Sequence, residues 1–148
     1  MTNNEYINAY KKTQQSSNTE TSSHEIIRTL MKELVNSMQK IVFDIQDDRS
    51  RKGDKFTLDK YQEEKITQNK SKNLSKSLSI IYGLQTSLDF DKALEIANNL
   101  FQLYEYCRQE IIKGFSQKIE DGIIKAIDII KQIMEGWEEI PSLERQDG

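Results

Sequence analysis

The residue types that most often carry chemistry are few and scattered in this sequence. There is one histidine, His24, and one cysteine, Cys107. A general base or a nucleophile works beside groups that orient and activate it, and no such constellation is visible around either residue. His24 falls at a predicted helix start and reads as an exposed first-turn residue. Cys107 falls on an apolar helical stripe and reads as a small buried hydrophobe. As the sole cysteine it forms no intrachain disulfide. A di-iron bundle needs two Glu-x-x-His pairs, which one histidine cannot supply. No glycine-rich phosphate loop occurs. Glu63-Glu64 and Glu138-Glu139 lie in polar surroundings that suit a solvated face better than acid–base work. The pattern predicts a protein that is not an enzyme and uses no cofactor or metal.

Binding chemistry is narrowed in the same way. The net charge is -3, with basic and acidic residues mixed, so the dense basic stripe of a nucleic-acid binder is missing. Arg49, Arg51, Lys52 and Lys55 form the only basic cluster. Asp54 interrupts it and Asp47 and Asp48 flank it, so it reads as a solvated loop. No apolar run reaches the length of a membrane span. The opening MTNNEYINAYKKTQQSS lacks the apolar core of a secretory signal, so a cytoplasmic location is expected. Aromatic residues are the more informative group. Tyr6, Ile7 and Tyr10 stand in a polar stretch too lean to fold alone. They are either exposed positions on a mobile tail or a short cap that docks into a groove. Between Leu100 and Tyr106 the chain is aromatic on more than one side of a helix. Phe101 and Tyr106 either flank the core or rim an exposed apolar groove.

The elements that must position these residues follow from the apolar spacing. With one proline, six glycines and 36 % apolar residues, long amphipathic helices around a slender core are expected. Residues 1–22 are polar and predicted mobile. Ser22 and Glu25 form a predicted capping box for a first helix, whose face runs from Ile27 through Leu30, Leu34 and Ile41 to Ile45. That pattern ends at Gln46, and the charged stretch Asp47 to Asp54 reads as a loop. Phe56 to Lys70 reads as a frayed or solvent-facing helix. A firm helix follows from Leu74 to Leu88, and Asp89-Phe90-Asp91 marks a turn. A third helix carries Ala97, Leu100, Tyr104, Cys107 and Ile111 as its core stripe, with Ile96, Leu103 and Tyr106 rotated from it. Gly114 is expected to end or bend that helix and Ser116 to cap the next. The last helix carries Ile119, Ile123, Ile127, Ile130, Met134 and Trp137, with Ile124, Ile133 and Ile140 as a second row. Pro141 is expected to stop it. The architecture predicted is all-α: one domain over residues 1–148, an antiparallel four-helix bundle with a short N-terminal cap segment.

Several of these pieces occur together in a known order. Asn4-Glu5-Tyr6 to Ala9-Tyr10-Lys11, the capped first helix, Ser87-Leu88-Asp89, Glu95-Ile96-Ala97-Asn98-Asn99-Leu100, Leu103-Tyr104-Glu105-Tyr106 and Trp137-Glu138 resemble the flagellar secretion chaperones, the FliS family. The resemblance covers most of the chain except Asp47 to Lys70, which looks like an insertion (residues 47–70) between the first two helices. Met31, Glu33, Ser23 and Ala93-Leu94 depart from residues common in the family. The resemblance implies a cytoplasmic chaperone that binds the disordered C-terminal region of flagellin, masks it from polymerisation and keeps it competent for type III export. It implies no cofactor, and flagellar export-gate components as further partners. Its partner-binding residues would be Tyr6, Ile7, Tyr10, Leu30, Leu34, Ile96, Leu103 and Tyr106, with the N-terminal segment covering part of the groove in the free protein. A helical-bundle adaptor or a secretion chaperone for a different client is the alternative.

Overall fold

The computed structural model describes residues 23–51 and 58–147, with side chains from 24 to 137 within them. Four helices make up the described residues: α1 (Ser23–Arg51), α2 (Lys60–Thr86), α3 (Leu94–Gln117) and α4 (Asp121–Asp147). Each packs against its chain neighbours, and α4 closes the ring against α1, leaving α1 and α3 diagonal. Neighbours run antiparallel. His24 at the start of α1 meets Trp137 late in α4, while Arg49 near the end of α1 pairs with Glu120 just before α4. Ser37 of α1 bonds Ser77 of α2, and Cys107 of α3 faces Ala126 of α4. The architecture is the four-helix bundle expected from the spacing.

The core holds the apolar stripes of all four helices. Ile27, Met31, Leu34, Met38, Ile81, Leu84, Tyr104, Ile111, Ile123 and Ile130 are all fully buried. The stripe foreseen on α3, from Ala97 through Leu100, Tyr104 and Cys107 to Ile111, is buried throughout. α2 is uneven: its buried residues all lie from Ser77 onward. Its polar first half is nevertheless a regular helix with a sharp start. The Asp59 carboxylate accepts from the Gln62 backbone N–H at 2.7 Å, and the Gln62 side chain accepts from the Asp59 N–H at 3.3 Å. That reciprocal capping box satisfies two donors a helix start leaves open.

Helix ends are where the spacing misleads. α1 does not stop at Gln46 but runs to Arg51, because charge alone does not break a helix and its pairs support one. Arg51 pairs with Asp47 four residues back, Lys70 reaches Asp48 from α2, and Arg49 donates to Glu120 at 3.0 Å. Asp47 to Arg51 is therefore helix, not loop, and Lys60 to Lys70 is also helix; Ser22, Gly53 and Phe56 lie outside the described residues. The turn at Asp89 stands, with its carboxylate accepting from the N–H groups of Asp91 and Lys92. Gly114 does not end α3. A Cβ there would lie 2.6 Å from the Ile119 carbonyl oxygen and from Ile123, so glycine permits close passage of the connection. The helix ends at Lys118, whose φ of 58° turns the chain left-handed. Ser116 lies inside α3 and caps nothing, since α4 starts at Asp121.

Pro141 does not stop α4, which continues to Asp147. A proline inside a helix has no N–H for the carbonyl four residues earlier, here that of Trp137. His24 Nε2 donates to that carbonyl at 2.7 Å. The Trp137 indole N–H donates in return to the His24 carbonyl at 2.9 Å, and the two rings stack 4.9 Å apart with planes 7° from parallel. A carbonyl only accepts, so Nε2 carries the proton. His24 is buried by this clasp, against the expectation of an exposed first-turn residue. The expectation failed because the partner lies 113 residues away.

Candidate partner-binding groove

α3 must satisfy two surroundings at once. Its core stripe faces the bundle, and the ridge beside it, Ile96, Asn99, Leu103 and Tyr106, follows three- and four-residue steps towards α4 and solvent. Leu103 and Tyr106 are each 38 % exposed, whereas Ile96 is nearly covered. From α4, Ile129, Gln132, Ile133 and Gly136 face the same ridge. Together with Leu100 on the floor they enclose an open groove of about 310 Å³ between α3 and α4. Among the described residues, none of the eight that line it is charged, in a chain in which 30 % of residues are. Such a lining recognises apolar side chains and has no means of holding a charged group.

The groove keeps its shape through its neighbours. At the start of α4, Gly122 lies against the Glu110 side chain of α3, whose carboxylate fills the space a Cβ would take. At the other end Trp137, next to Gly136, is clasped to His24. On the far side of α3, Glu105 accepts from the Arg108 guanidinium and from the Gln85 side chain of α2 at 3.2 Å. Those bonds hold its carboxyl well below the usual range, at about 2. Gly136 is the residue of the lining that weakens its own helix most, by about 1 kcal/mol relative to alanine.

The residues expected to bind a partner separate into three groups. Ile96 and Leu103 come together in this groove, whereas Tyr106, half-exposed on the same row of α3, is not among its lining residues. Leu30 is half-buried and packed on the core, and Leu34 is fully buried, both on α1, diagonal to α3. Leu34 therefore belongs to the core and offers no surface. It lies at the centre of the apolar stripe of α1, where a three- or four-residue step does not separate floor from rim. Tyr6, Ile7 and Tyr10 lie outside the described residues. The α4 wall was missed: Ile129, Gln132 and Gly136. The available signal was Ile129 and Ile133, four residues apart and beside rather than on the row Ile123, Ile127, Ile130 and Trp137.

Burial pushes the Cys107 thiol up to about 12, so it carries no thiolate at neutral pH. Among the described residues no group of His, Cys, Asp and Glu is placed to hold a metal ion. Among them, too, no helix is long and apolar enough to cross a membrane.

Comparison with known proteins gives the groove its context. The family described as flagellar protein FliS matches residues 6–144. The flagellar secretion chaperone FliS of Vibrio cholerae serotype O1 is 32 % identical over 72 residues, covering 49 % of this chain and 53 % of that protein. The flagellar secretion chaperone FliS of Salmonella typhimurium is 33 % identical over 72 residues, covering 48 % of this chain and 53 % of that protein. The aligned region thus spans about half the length of these curated relatives. No solved structure matches the chain. The family match runs from the tyrosine-bearing N-terminal segment through all four helices, and on that extent the chain belongs to the FliS family of flagellar proteins.

Proposed function

We propose that this protein is a cytoplasmic export chaperone that binds the disordered C-terminal region of flagellin, prevents its premature polymerisation and keeps it competent for flagellar type III secretion. The observation that carries the reading is the uncharged α3/α4 groove on a bundle of this family. An amphipathic client segment lays its apolar face into such a groove. Ordering a disordered segment costs about 2–5 kcal/mol, and burial of leucine-sized side chains at about 25 cal/mol per Å² offsets it. Wrapping also masks the client without a rigid partner surface. No step of this work requires catalysis or a cofactor.

Residues 1–22 enter the bundle at Ser23, beside the clasp of His24 on Trp137 and hence next to the Gly136 end of the groove. Within the proposal, Tyr6, Ile7 and Tyr10 compete with the client for that groove. Removing a competitor raises apparent affinity by raising the competent fraction. Flagellar export-gate components are further proposed partners.

The test is calorimetric titration of the full chain with the C-terminal region of flagellin from the same bacterium, with the N-terminal region as control. Saturable binding of the C-terminal region, weakened in Leu103→Asp, supports the proposal. Capture of a different polypeptide together with no response to flagellin would transfer the chain to the adaptor reading.

A further inference from the structure

We infer that Gly136 is a specificity-determining residue of the α3/α4 groove: by lacking a side chain it leaves a recess that receives a large apolar side chain from the client's helix. The inference rests on the reading of this groove as the client's docking site. It starts from the different reasons for which glycine stands at four helical positions. At Gly114 a Cβ would meet the Ile119 carbonyl oxygen at 2.6 Å, so the backbone itself requires glycine, and at Gly122 it would take the space that the end of the Glu110 side chain fills. Gly83 lies in the last turn of α2, where its carbonyl accepts from the Ser87 N–H and from the Thr86 and Ser87 hydroxyls. A Cβ at Gly83 would, as at Gly136, meet no described atom within 4 Å, but Gly83 stands in a terminal turn, where helices fray, and lies outside the groove.

Gly136 has neither reason. It lies well inside α4, its φ is not positive, and among the described residues a Cβ there would meet no atom within 4 Å. A glycine inside a helix destabilises it relative to alanine. Helix energetics therefore argue against glycine, and its surroundings would accept a side chain without strain. The one thing the position does is line the groove, with Ile133 and Ile129 on its own helix and Ile96 and Leu103 opposite.

The chemistry of the lining identifies the occupant. A carboxylate or ammonium entering it would lose water and find no charged partner. An aliphatic or aromatic side chain would contact isoleucine and leucine on both walls. The amides of Asn99 and Gln132 stand at the edges for the polar margin of the client's helix. The space left by the missing Cβ widens the groove opposite Ile96 and Leu103, so the recess favours a leucine-sized or aromatic residue over alanine or serine.

The experiment uses the full-length protein and a peptide of the flagellin C-terminal region as probe, with thermal melts and binding titrations on the same preparations. Gly136→Ala is expected to melt at or above the wild-type temperature. Gly136→Leu is expected to stay folded and bind about tenfold more weakly or worse, as when an interface pocket is filled. Leu103→Asp reports whether the groove is used at all. If Leu103→Asp loses binding while Gly136→Leu keeps it, the recess is overturned and the docking reading stands. If Leu103→Asp binds as the wild type does, or the wild type does not bind the peptide, the docking reading falls and the recess falls with it. A lower melting temperature for Gly136→Ala would mean that the glycine serves the fold, which also overturns the inference.

Discussion

Two clefts of this bundle differ in kind, and the larger is the poorer candidate for binding a chain. The cleft between α1 and α2 measures about 820 Å³, against about 310 Å³ between α3 and α4. It is lined by Glu33, Lys40, Asp44, Lys72 and Lys76, with side-chain amides between them. Lys76 donates to Glu33 at 2.7 Å across it, and Asn73 reaches Asp44. A partner entering there must displace water from charged groups that water serves well, and exposed ion pairs return little. A partner entering the α3/α4 groove displaces water from isoleucine and leucine, which is favourable in proportion to area. Phe43 makes the contrast sharper: it is 65 % exposed at the polar cleft, yet stands alone among charged and amide side chains. Continuity of apolar surface marks the better site, rather than volume or a single aromatic.

The strongest way to break that comparison is to destroy the shared floor. Leu100 lines the groove but is only 6 % exposed, and its stripe neighbours Ala97, Tyr104 and Cys107 are fully buried. Leu100→Asp places a buried carboxylate in a groove with no charged group among its described lining residues, and a loss of about 3–5 kcal/mol of stability is expected. Circular dichroism melts check this. Survival of the bundle with only binding lost would mean that Leu100 belongs to the rim.

The end wall of the groove comes next. His24→Ala removes the donor to the Trp137 carbonyl and the ring stacked on its indole. A buried polar group that loses its partner costs about 1–3 kcal/mol. Pro141→Ala restores a backbone N–H four residues after Trp137, so His24→Ala should cost less in that background. A double-mutant cycle measures the difference. Equal costs in both backgrounds would remove the link between the proline and the clasp.

A matched pair of aromatic truncations sharpens the comparison directly. Tyr106→Ala, on the α3 row that carries Ile96 and Leu103, is expected to leave the melting temperature nearly unchanged and to weaken client binding by about 1–3 kcal/mol. Phe43→Ala, at the polar cleft, is expected to change binding by less than about 0.5 kcal/mol. Titration of both variants with one client decides between the clefts, and a larger effect at Phe43 would reverse the assignment.

These contrasts also show what the amino-acid pattern could and could not convey. The four helices were legible because apolar residues recur at three and four along Ile27 to Ile45, Leu74 to Leu88, Ala97 to Ile111 and Ile123 to Trp137. Each such face has to find another. The ends were less legible, because periodicity reports which side is buried and not where the backbone stops. Asp47 to Arg51 carry no apolar residue yet extend α1, held by pairs with α2 and with Glu120. Pro141 continues α4 where a proline should halt it, and the residue that serves the exposed carbonyl stands at the opposite end of the sequence. The groove was half legible. Ile96 and Leu103 are rotated from the core stripe by arithmetic alone, but their facing wall depends on which side α4 presents, and that is set by packing. Leu34 shows the limit from the other side, since floor and rim share one helical period.

The smallest expected effect lies in the polar cleft and turns on two carboxyl groups with opposite shifts. Glu33 sits beside Lys76, whose hydrogen bond and charge lower its pKa, and its contribution is present at neutral pH and lost as pH falls below the ordinary carboxylate value. Asp44 is raised instead, because partial burial penalises its charged form more than Asn73 and Lys70 help it. A carboxyl raised in the fold opposes folding while ionised, and that cost disappears as pH falls through its raised value towards the ordinary one near 3.8. Asp44→Asn keeps an acceptor for Asn73 and removes the charge. It should therefore stabilise the bundle at neutral pH, by no more than about 0.5 kcal/mol given its partial exposure, with the gain vanishing as the solution is acidified. Glu33→Gln should do the reverse, with a slight loss at neutral pH that disappears in acid. Melting temperatures of both variants from pH 7 down to about pH 3 separate the two causes. Parallel pH trends would show that the cleft holds its carboxyls in one common environment, and would remove the opposition between burial and pairing that sets it apart from the uncharged groove.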